Sequence, residues 1–167
     1  MRLRDLAGRR VCLLGFGREG SATLEVLQRA AVLQGEAAPR VSIADRQPIA
    51  DVPCPVLSGP DYLRAIEDHD VVIRSPGVWD PRLELVAHKV TTPTNLLLAE
   101  AAQRGTTVVG VTGTKGKSTT SSLIHHLLVA AGRPARLLGN IGVPAITALL
   151  DPEALSEVLV LELSSFQ

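Results

Sequence analysis

The stretch that most constrains this chain runs Val111-Thr-Gly113-Thr-Lys115-Gly116-Lys117-Ser118-Thr119. It follows an apolar run, Thr107-Val-Val-Gly-Val111, and precedes an uninterrupted helical pattern from about Lys117 to Ala131. A glycine-rich turn between a strand and a helix belongs to a parallel α/β sheet, with the turn at the carboxyl end of its strand. Such a turn folds its backbone N–H groups toward an anion, and the helix N-terminus adds partial positive charge. Lysine usage agrees. Of seventeen basic residues only Lys89, Lys115 and Lys117 are lysine, and two of these fall inside the turn. A compact ammonium serves phosphate there better than the arginine used elsewhere. The spacing departs from G-x-x-x-x-G-K-[ST], because Val111 stands where the first glycine belongs and glycines occupy 110 and 113 instead. On this reading Gly113, Thr114, Lys115, Gly116, Lys117, Ser118 and Thr119 hold a nucleoside triphosphate, ATP. Lys117 reaches its terminal phosphates and Ser118 ligates magnesium. The competing reading is a plain turn between strand and helix.

A second carboxylate-bearing strand end supports the phosphate reading. Val158-Leu-Val-Leu161 is an apolar run closed by Glu162, and a carboxylate at that place beside a phosphate loop can hold Mg²⁺. By itself such a glutamate is as readily a solvated strand end. The segment Gly139-Asn140-Ile-Gly142-Val-Pro144 follows another strand pattern, Arg136–Leu138, and places Asn140 as a hydrogen-bonding candidate across a domain junction.

The first half alternates short apolar runs with helical patterns. Val11–Leu14, Val41–Ala44 and Asp70–Ile73 read as strands, and Ser21 to Ala31 reads as a helix. Short continuous apolar strands of this kind imply a parallel sheet covered on both faces. Thr94 is expected to cap a helix from Asn95 to Arg104, with Gly105 ending it. The pattern resets near Thr94, so the expected units are residues 1–93 and 94–167.

Gly15-Phe16-Gly17-Arg18-Glu-Gly20 matches G-x-G-x-x-G after the first strand, and Asp45 closes the second. Read literally this is a dinucleotide fingerprint with a ribose-binding acid. Its physical content is broader, since a tight turn and a helix N-terminus suit any diphosphate, UDP as well as NAD. Asp45 can equally pair with Arg46 or face solvent. Ser75-Pro76-Gly77 ends the third strand on the same edge, and Trp79 beyond it reads as a partly buried surface aromatic.

Composition narrows the classes. Hydrophobic residues make up 46% and seventeen acids balance seventeen bases, which gives a globular core and no support for nucleic-acid or membrane-surface partners. No apolar run reaches 18 residues and no signal region opens the chain. Two cysteines, Cys12 and Cys54, make no disulfide framework, so a reducing cytoplasm is expected.

Gly113-Thr-Lys-Gly-Lys-Ser-Thr119, Ser75-Pro-Gly77, Gly139-Asn-Ile-Gly142 and Glu162-Leu-Ser-Ser-Phe-Gln167 occur in this order in the Mur ligase family, and the whole chain resembles its glutamate-adding branch. The resemblance implies an α/β fold: a Rossmann-like N-terminal domain with a parallel sheet, then an incomplete P-loop ATPase-type domain. It implies that Gly15–Arg18, Asp45, Arg46, Ser75–Gly77 and Asn140 bind the UDP part of a substrate, with ATP on the loop and Mg²⁺ on Ser118 and Glu162. Lys117 and Glu162 take the catalytic roles. The implied reaction joins glutamate, expected as the D-enantiomer, to UDP-N-acetylmuramoyl-alanine through an acyl phosphate, in a cytoplasmic monomer with small-molecule partners. An L-glutamate branch stays open, because Gly-Arg-Glu-Gly at 17–20 differs from the loop of the best-known members. The family also has a third, glutamate-binding domain and a modified lysine and histidine beyond Glu162. The chain therefore reads as the front part of a longer protein, inactive alone. A nicotinamide-dependent oxidoreductase or sensor, and a non-catalytic nucleotide-binding module, are the other readings.

Overall fold

A computed structural model describes residues 1–34, 37–140 and 142–164, those of 30–34 as backbone alone. Ile141 of the Gly139–Pro144 segment and Ser165-Phe-Gln167 of the terminal motif lie outside the described residues. The first half gives β1 (Arg10–Leu14), α1 (Arg18–Gln34), β2 (Arg40–Asp45), β3 (Val56–Ser58), α2 (Ala65–Asp68), β4 (Val71–Arg74), α3 (Arg82–Leu85) and β5 (Val90–Thr91). The second gives α4 (Pro93–Arg104), β6 (Val108–Val111), α5 (Lys117–Ala130), β7 (Ala135–Gly139) and β8 (Val158–Glu162).

The first five strands form one parallel sheet in the order β3-β2-β1-β4-β5. Its apolar runs are buried on both faces. Val11, Leu13, Ile43, Val71 and Ile73 face Val26 and Leu27 of α1, whereas Cys12, Leu14, Ala44 and Val72 face Leu63, Ala65, Ile66 and Leu83. Strand order reverses between β1 and β4, so the carboxyl ends of these neighbours open a crevice where open α/β sheets take their ligands. The expected parallel α/β sheet is present. The sequence pattern missed β3 and β5, which are three and two residues long, too short for a period of two to register.

The second sheet is parallel in the order β6-β8-β7, with Glu162 ending the central strand. One face packs on Leu97 and Ala101 of α4 and on a 3₁₀ segment, Ala145–Leu150. The other packs on Ile124 and Leu128 of α5. α4 begins two residues earlier than expected, at Pro93 and not Asn95. Thr92 is its cap, accepting from the Asn95 N–H at 3.1 Å, because Pro93 takes the first helical position and buries Thr94 inside the turn. Gly105 ends it in a left-handed conformation, as expected.

The two sheets share packing. Leu96 of α4 and Ile146 of the 3₁₀ segment are fully buried in the core of the first sheet, while the neighbouring Leu97 and Ala145 belong to that of the second. The passage from one sheet to the other therefore runs through a packed helix and not a bare linker.

Candidate functional site

A cleft and a glycine-rich loop lie at the carboxyl ends of the two sheets. The first is a cleft of about 420 Å³ lined by Gly15, Phe16, Gly17, Arg18, Asp45, Ser75, Pro76 and Gly77, and closed from the second unit by Asn140 and Pro144. The structure thus brings together nine of the ten residues expected to hold the UDP part. Arg46 is the exception; it is exposed and absent from the cleft lining. Glu19, Val78, Gly139 and Pro144 line the cleft without having been singled out.

The turn after β1 is held by its neighbours. The Ser75 hydroxyl donates to the Gly15 carbonyl at 2.7 Å, and the Ser75 N–H donates to Leu14 O. Gly20 lies so close under the turn that a Cβ there would come within 2.6 Å of the Gly15 carbonyl oxygen, which accounts for the third glycine of the fingerprint. Asp45 is half-buried in the cleft lining and accepts from the Phe16 N–H at 2.6 Å and the Gln47 N–H at 2.8 Å. Each of its oxygens takes one backbone N–H, which fixes the acid against the turn after β1. Across the cleft, Arg18 donates to the carbonyl of Gly142. Trp79 is 70% exposed and lies outside the lining, so the expectation of partial burial does not hold.

The second feature is the loop between β6 and α5. Gly116 occupies the N-cap of α5 in a left-handed conformation, and no side chain caps that helix end, which leaves its first N–H groups to a ligand. Thr114, Lys115, Ser118 and Thr119 are exposed. The Lys117 ammonium folds back onto the Gly113 carbonyl at 2.7 Å. This hydrogen bond ties the first residue of α5 back to the loop that precedes it.

Glu162 stands in register with Val111, the strand residue that opens the loop, and with Gly139 on its other side. It is only 4% exposed, so it is no solvated strand end. Its Oε2 is buried without a hydrogen-bond partner among the described residues. A buried carboxylate oxygen without a donor is costly unless something supplies positive charge, and a hard cation answers that need. No group of three or more His, Cys, Asp or Glu gathers among the described residues. Mg²⁺ takes one or two protein oxygens and completes its shell with phosphates and water, and Glu162, with the exposed Ser118 hydroxyl at the start of α5, could supply such oxygens.

Gly139 ties the two features together. At φ +108° its Cβ would fall onto the Glu162 carbonyl oxygen, deep inside contact distance. Only glycine lets β7 close on β8 there, and that closure lets the Asn140 N–H donate to the same carbonyl at 3.1 Å.

A switch-point cleft on a five-stranded parallel sheet, followed by a strand–glycine-rich-loop–helix unit with a buried strand-end acid, is the layout of α/β proteins that take ligands at the carboxyl ends of their strands. The chain belongs to the Mur ligase family. The family description "Mur ligase middle domain" matches residues 111–167. Over its whole length the chain is 42% identical to a UDP-N-acetylmuramoyl-L-alanine–L-glutamate ligase of a Micromonospora species, and 41% identical to one of Salinispora tropica. Over 99% of its length it is 36% identical to a UDP-N-acetylmuramoylalanine–D-glutamate ligase of Cereibacter sphaeroides. It spans 37%, 37% and 38% of these relatives, a little over a third of their length. No described helix is long and apolar enough to cross a membrane.

Proposed function

We propose that this chain carries the UDP-substrate cleft and the ATP-phosphate loop of a ligase that joins glutamate to UDP-N-acetylmuramoyl-alanine. The observation that carries the reading is Glu162: a buried carboxylate with an unpartnered oxygen, in register with the strand that opens the phosphate loop. Its backbone also receives the N–H of the cleft residue Asn140. A nicotinamide-dependent reading leaves Lys117 and Glu162 without work, and Asp45 is already occupied by Phe16 and Gln47.

In this reading the UDP-linked substrate lies in the cleft, with its alanyl carboxylate directed past Asn140 toward the end of β8. That carboxylate oxygen attacks the γ-phosphorus of ATP, the bond to the bridging oxygen of ADP breaks, and an acyl phosphate forms. The glutamate amine then attacks the acyl carbon, loses a proton, and inorganic phosphate leaves. Lys117 leaves the Gly113 carbonyl and sets its ammonium against the charge gathering on the transferred group, the main lever in phosphoryl transfer. Bound Mg²⁺ supplies further charge neutralisation, and Ser118 and Glu162 would hold it. The names of the relatives divide between the two glutamate enantiomers, so the D-glutamate reading and its L-glutamate alternative are both carried forward, and both amino acids enter the assay.

The test is a calorimetric titration with UDP-N-acetylmuramoyl-alanine and, in parallel, with NAD. Heat of binding from the UDP ligand alone supports the reading and justifies ligation assays with D- and L-glutamate. Binding of NAD without the UDP ligand would overturn it.

A further inference from the structure

One wall of the cleft is held in shape by a residue that has no part in the reading above. Ser75, Pro76, Gly77 and Val78 line the cleft, whereas Arg74, the last residue of β4, is not among the lining residues. The four form a turn in which the Val78 N–H donates to the Ser75 carbonyl at 3.1 Å, with proline and glycine at the two central positions. Arg74 is half-buried, and its Nη1 donates to the Val78 carbonyl at 2.8 Å and to the Pro76 carbonyl at 3.3 Å. The Ser75 carbonyl lies 3.5 Å from the same nitrogen. Three carbonyl oxygens of one turn thus converge on a single cationic donor.

The first residue of the turn is tied to the sheet without Arg74. Its N–H reaches Leu14 O and its hydroxyl reaches the Gly15 carbonyl. Beyond Ser75, the position of the turn depends on what holds Pro76 and Val78. Converging carbonyl oxygens repel one another unless a donor stands between them, and a hydrogen bond from a charged donor is about twice as strong as a neutral one. With Arg74 in place the turn leans on the turn after β1: Val78 Cγ2 stands 2.7 Å from where a Gly15 Cβ would be, and Ser75 Cβ 3.0 Å. The two strand-end turns of the cleft therefore meet, and Gly15 leaves the room that seats Val78. The Pro76 carbonyl also shares a planar peptide unit with the Gly77 N–H, so the bond from Arg74 fixes the direction of that N–H.

We infer that Arg74 is a positioning residue of the UDP-substrate cleft: its guanidinium holds the Pro76 and Val78 carbonyls so that the turn after β4 keeps the shape in which it meets a UDP-linked ligand. The inference rests on the proposed function and deepens it by naming what sets that wall before a ligand arrives. Because one nitrogen makes these contacts, the hold needs a cationic donor at that point more than a planar fork. Lysine should therefore largely replace arginine here.

The experiment compares wild type, Arg74→Lys and Arg74→Met, each shown to be folded by circular dichroism. Each is titrated calorimetrically with UDP-N-acetylmuramoyl-alanine, and its amide exchange is followed residue by residue without ligand. Affinity falls in proportion to the fraction of molecules that hold the binding-competent arrangement, so R74M should lose about tenfold or more while R74K stays within about threefold of wild type. In the free protein the Val78 N–H of R74M should exchange at least about threefold faster than in wild type, while the Ser75 N–H, held by Leu14, keeps its rate. Arg74→Gln, shorter and neutral, takes the place of R74M should that variant not fold, with the same expectations. Wild-type affinity in R74M overturns the inference alone, and so does an equal loss of affinity in R74K. A loss of affinity with unchanged exchange at Val78 also overturns it, because Arg74 would then act on the ligand and not on the turn. Exchange raised alike at Ser75 and Val78 overturns it as well, since that marks a general loss of stability. Failure of the wild type to bind UDP-N-acetylmuramoyl-alanine overturns the inference together with the function on which it rests.

Discussion

Glu162→Gln separates what the buried carboxylate costs the fold from what it gives the site. In the ligand-free protein Glu162 is 4% exposed and its Oε2 meets no donor among the described residues. Leaving a buried polar atom unsatisfied costs about 1–3 kcal/mol, more when it is charged. Glutamine has the same shape and no charge, and a buried amide is less expensive than a buried carboxylate. Taking about 2 kcal/mol as the relief, and about 2–4 °C per kcal/mol for a chain of this size, the variant should melt about 4–8 °C above wild type. Ligand reverses the order. A ligand at one hundred times its Kd stabilises the native state by about 2.7 kcal/mol, or about 5–11 °C. Wild type should show that gain with Mg²⁺ and ATP together, and the variant should show little of it. The assay is thermal denaturation of both proteins with and without Mg²⁺-ATP. A variant that melts lower than wild type without ligand would mean that the acid has a donor the geometry does not show. A variant that gains as much as wild type from Mg²⁺-ATP would refute the assignment of the cation to Glu162.

Three further outcomes follow from the geometry. Lys117→Met removes only a partly exposed hydrogen bond to the Gly113 carbonyl, so stability should stay within about 0.5 kcal/mol while ATP affinity in calorimetry collapses; retained affinity would contradict the loop assignment. Gly139→Ala sets a Cβ onto the Glu162 carbonyl at a left-handed φ, and strain plus overpacking should cost about 2–6 kcal/mol in chemical denaturation; a cost below 1 kcal/mol would count against the observed closure of β7 on β8. Asp70 is held down to about 2, from an ordinary 3.8, by its hydrogen bonds and ion pair with Arg10. A depressed folded-state value contributes stability above pH 3.8 that is lost as pH falls toward 2, so Asp70→Asn should flatten that part of the acid-denaturation curve, and an unchanged curve would dismiss the pair.

How much of this was legible beforehand depends on the range of the interaction. Strand β1, helix α5 and the loop before it are set by local chemistry: apolar runs, glycines and a lysine in order along the chain, and they came out close to their observed limits. The helix read as Ser21 to Ala31 is longer, Arg18–Gln34, so the second half of the Gly15–Gly20 fingerprint is already its first turn. The burial of Glu162 was not legible, because it depends on β8 lying between β6 and β7, and strand order is not written in any one segment. Asp45 shows the same limit at a smaller scale. Its place at the end of β2 was readable, but its capture by the Phe16 N–H, 29 residues away, belongs to the pairing of β1 with β2. Glu19, which lines the cleft, had a signal that was passed over: a charged residue at a variable position of a fingerprint, in the first turn of the helix that follows.

The end of β8 shows why the two features belong to one machine. Glu162 lies in register with Val111, which opens the loop, and its backbone carbonyl receives the N–H of the cleft residue Asn140. The Asn140 N–H and the Glu162 carbonyl share a hydrogen bond at 3.1 Å, so a shift of Asn140 toward a ligand pulls on the backbone at the end of β8 that carries the acid. Gly139 permits this contact by leaving out the one atom that would hold β7 and β8 apart. Binding in the cleft and cation binding at the loop should therefore be coupled, each raising the affinity of the other by the same factor, as linkage requires. Gly139→Ala, in whatever fraction folds, should weaken that coupling, because the added Cβ falls on the Glu162 carbonyl that the Asn140 N–H also contacts; a coupling factor unchanged from wild type would refute it.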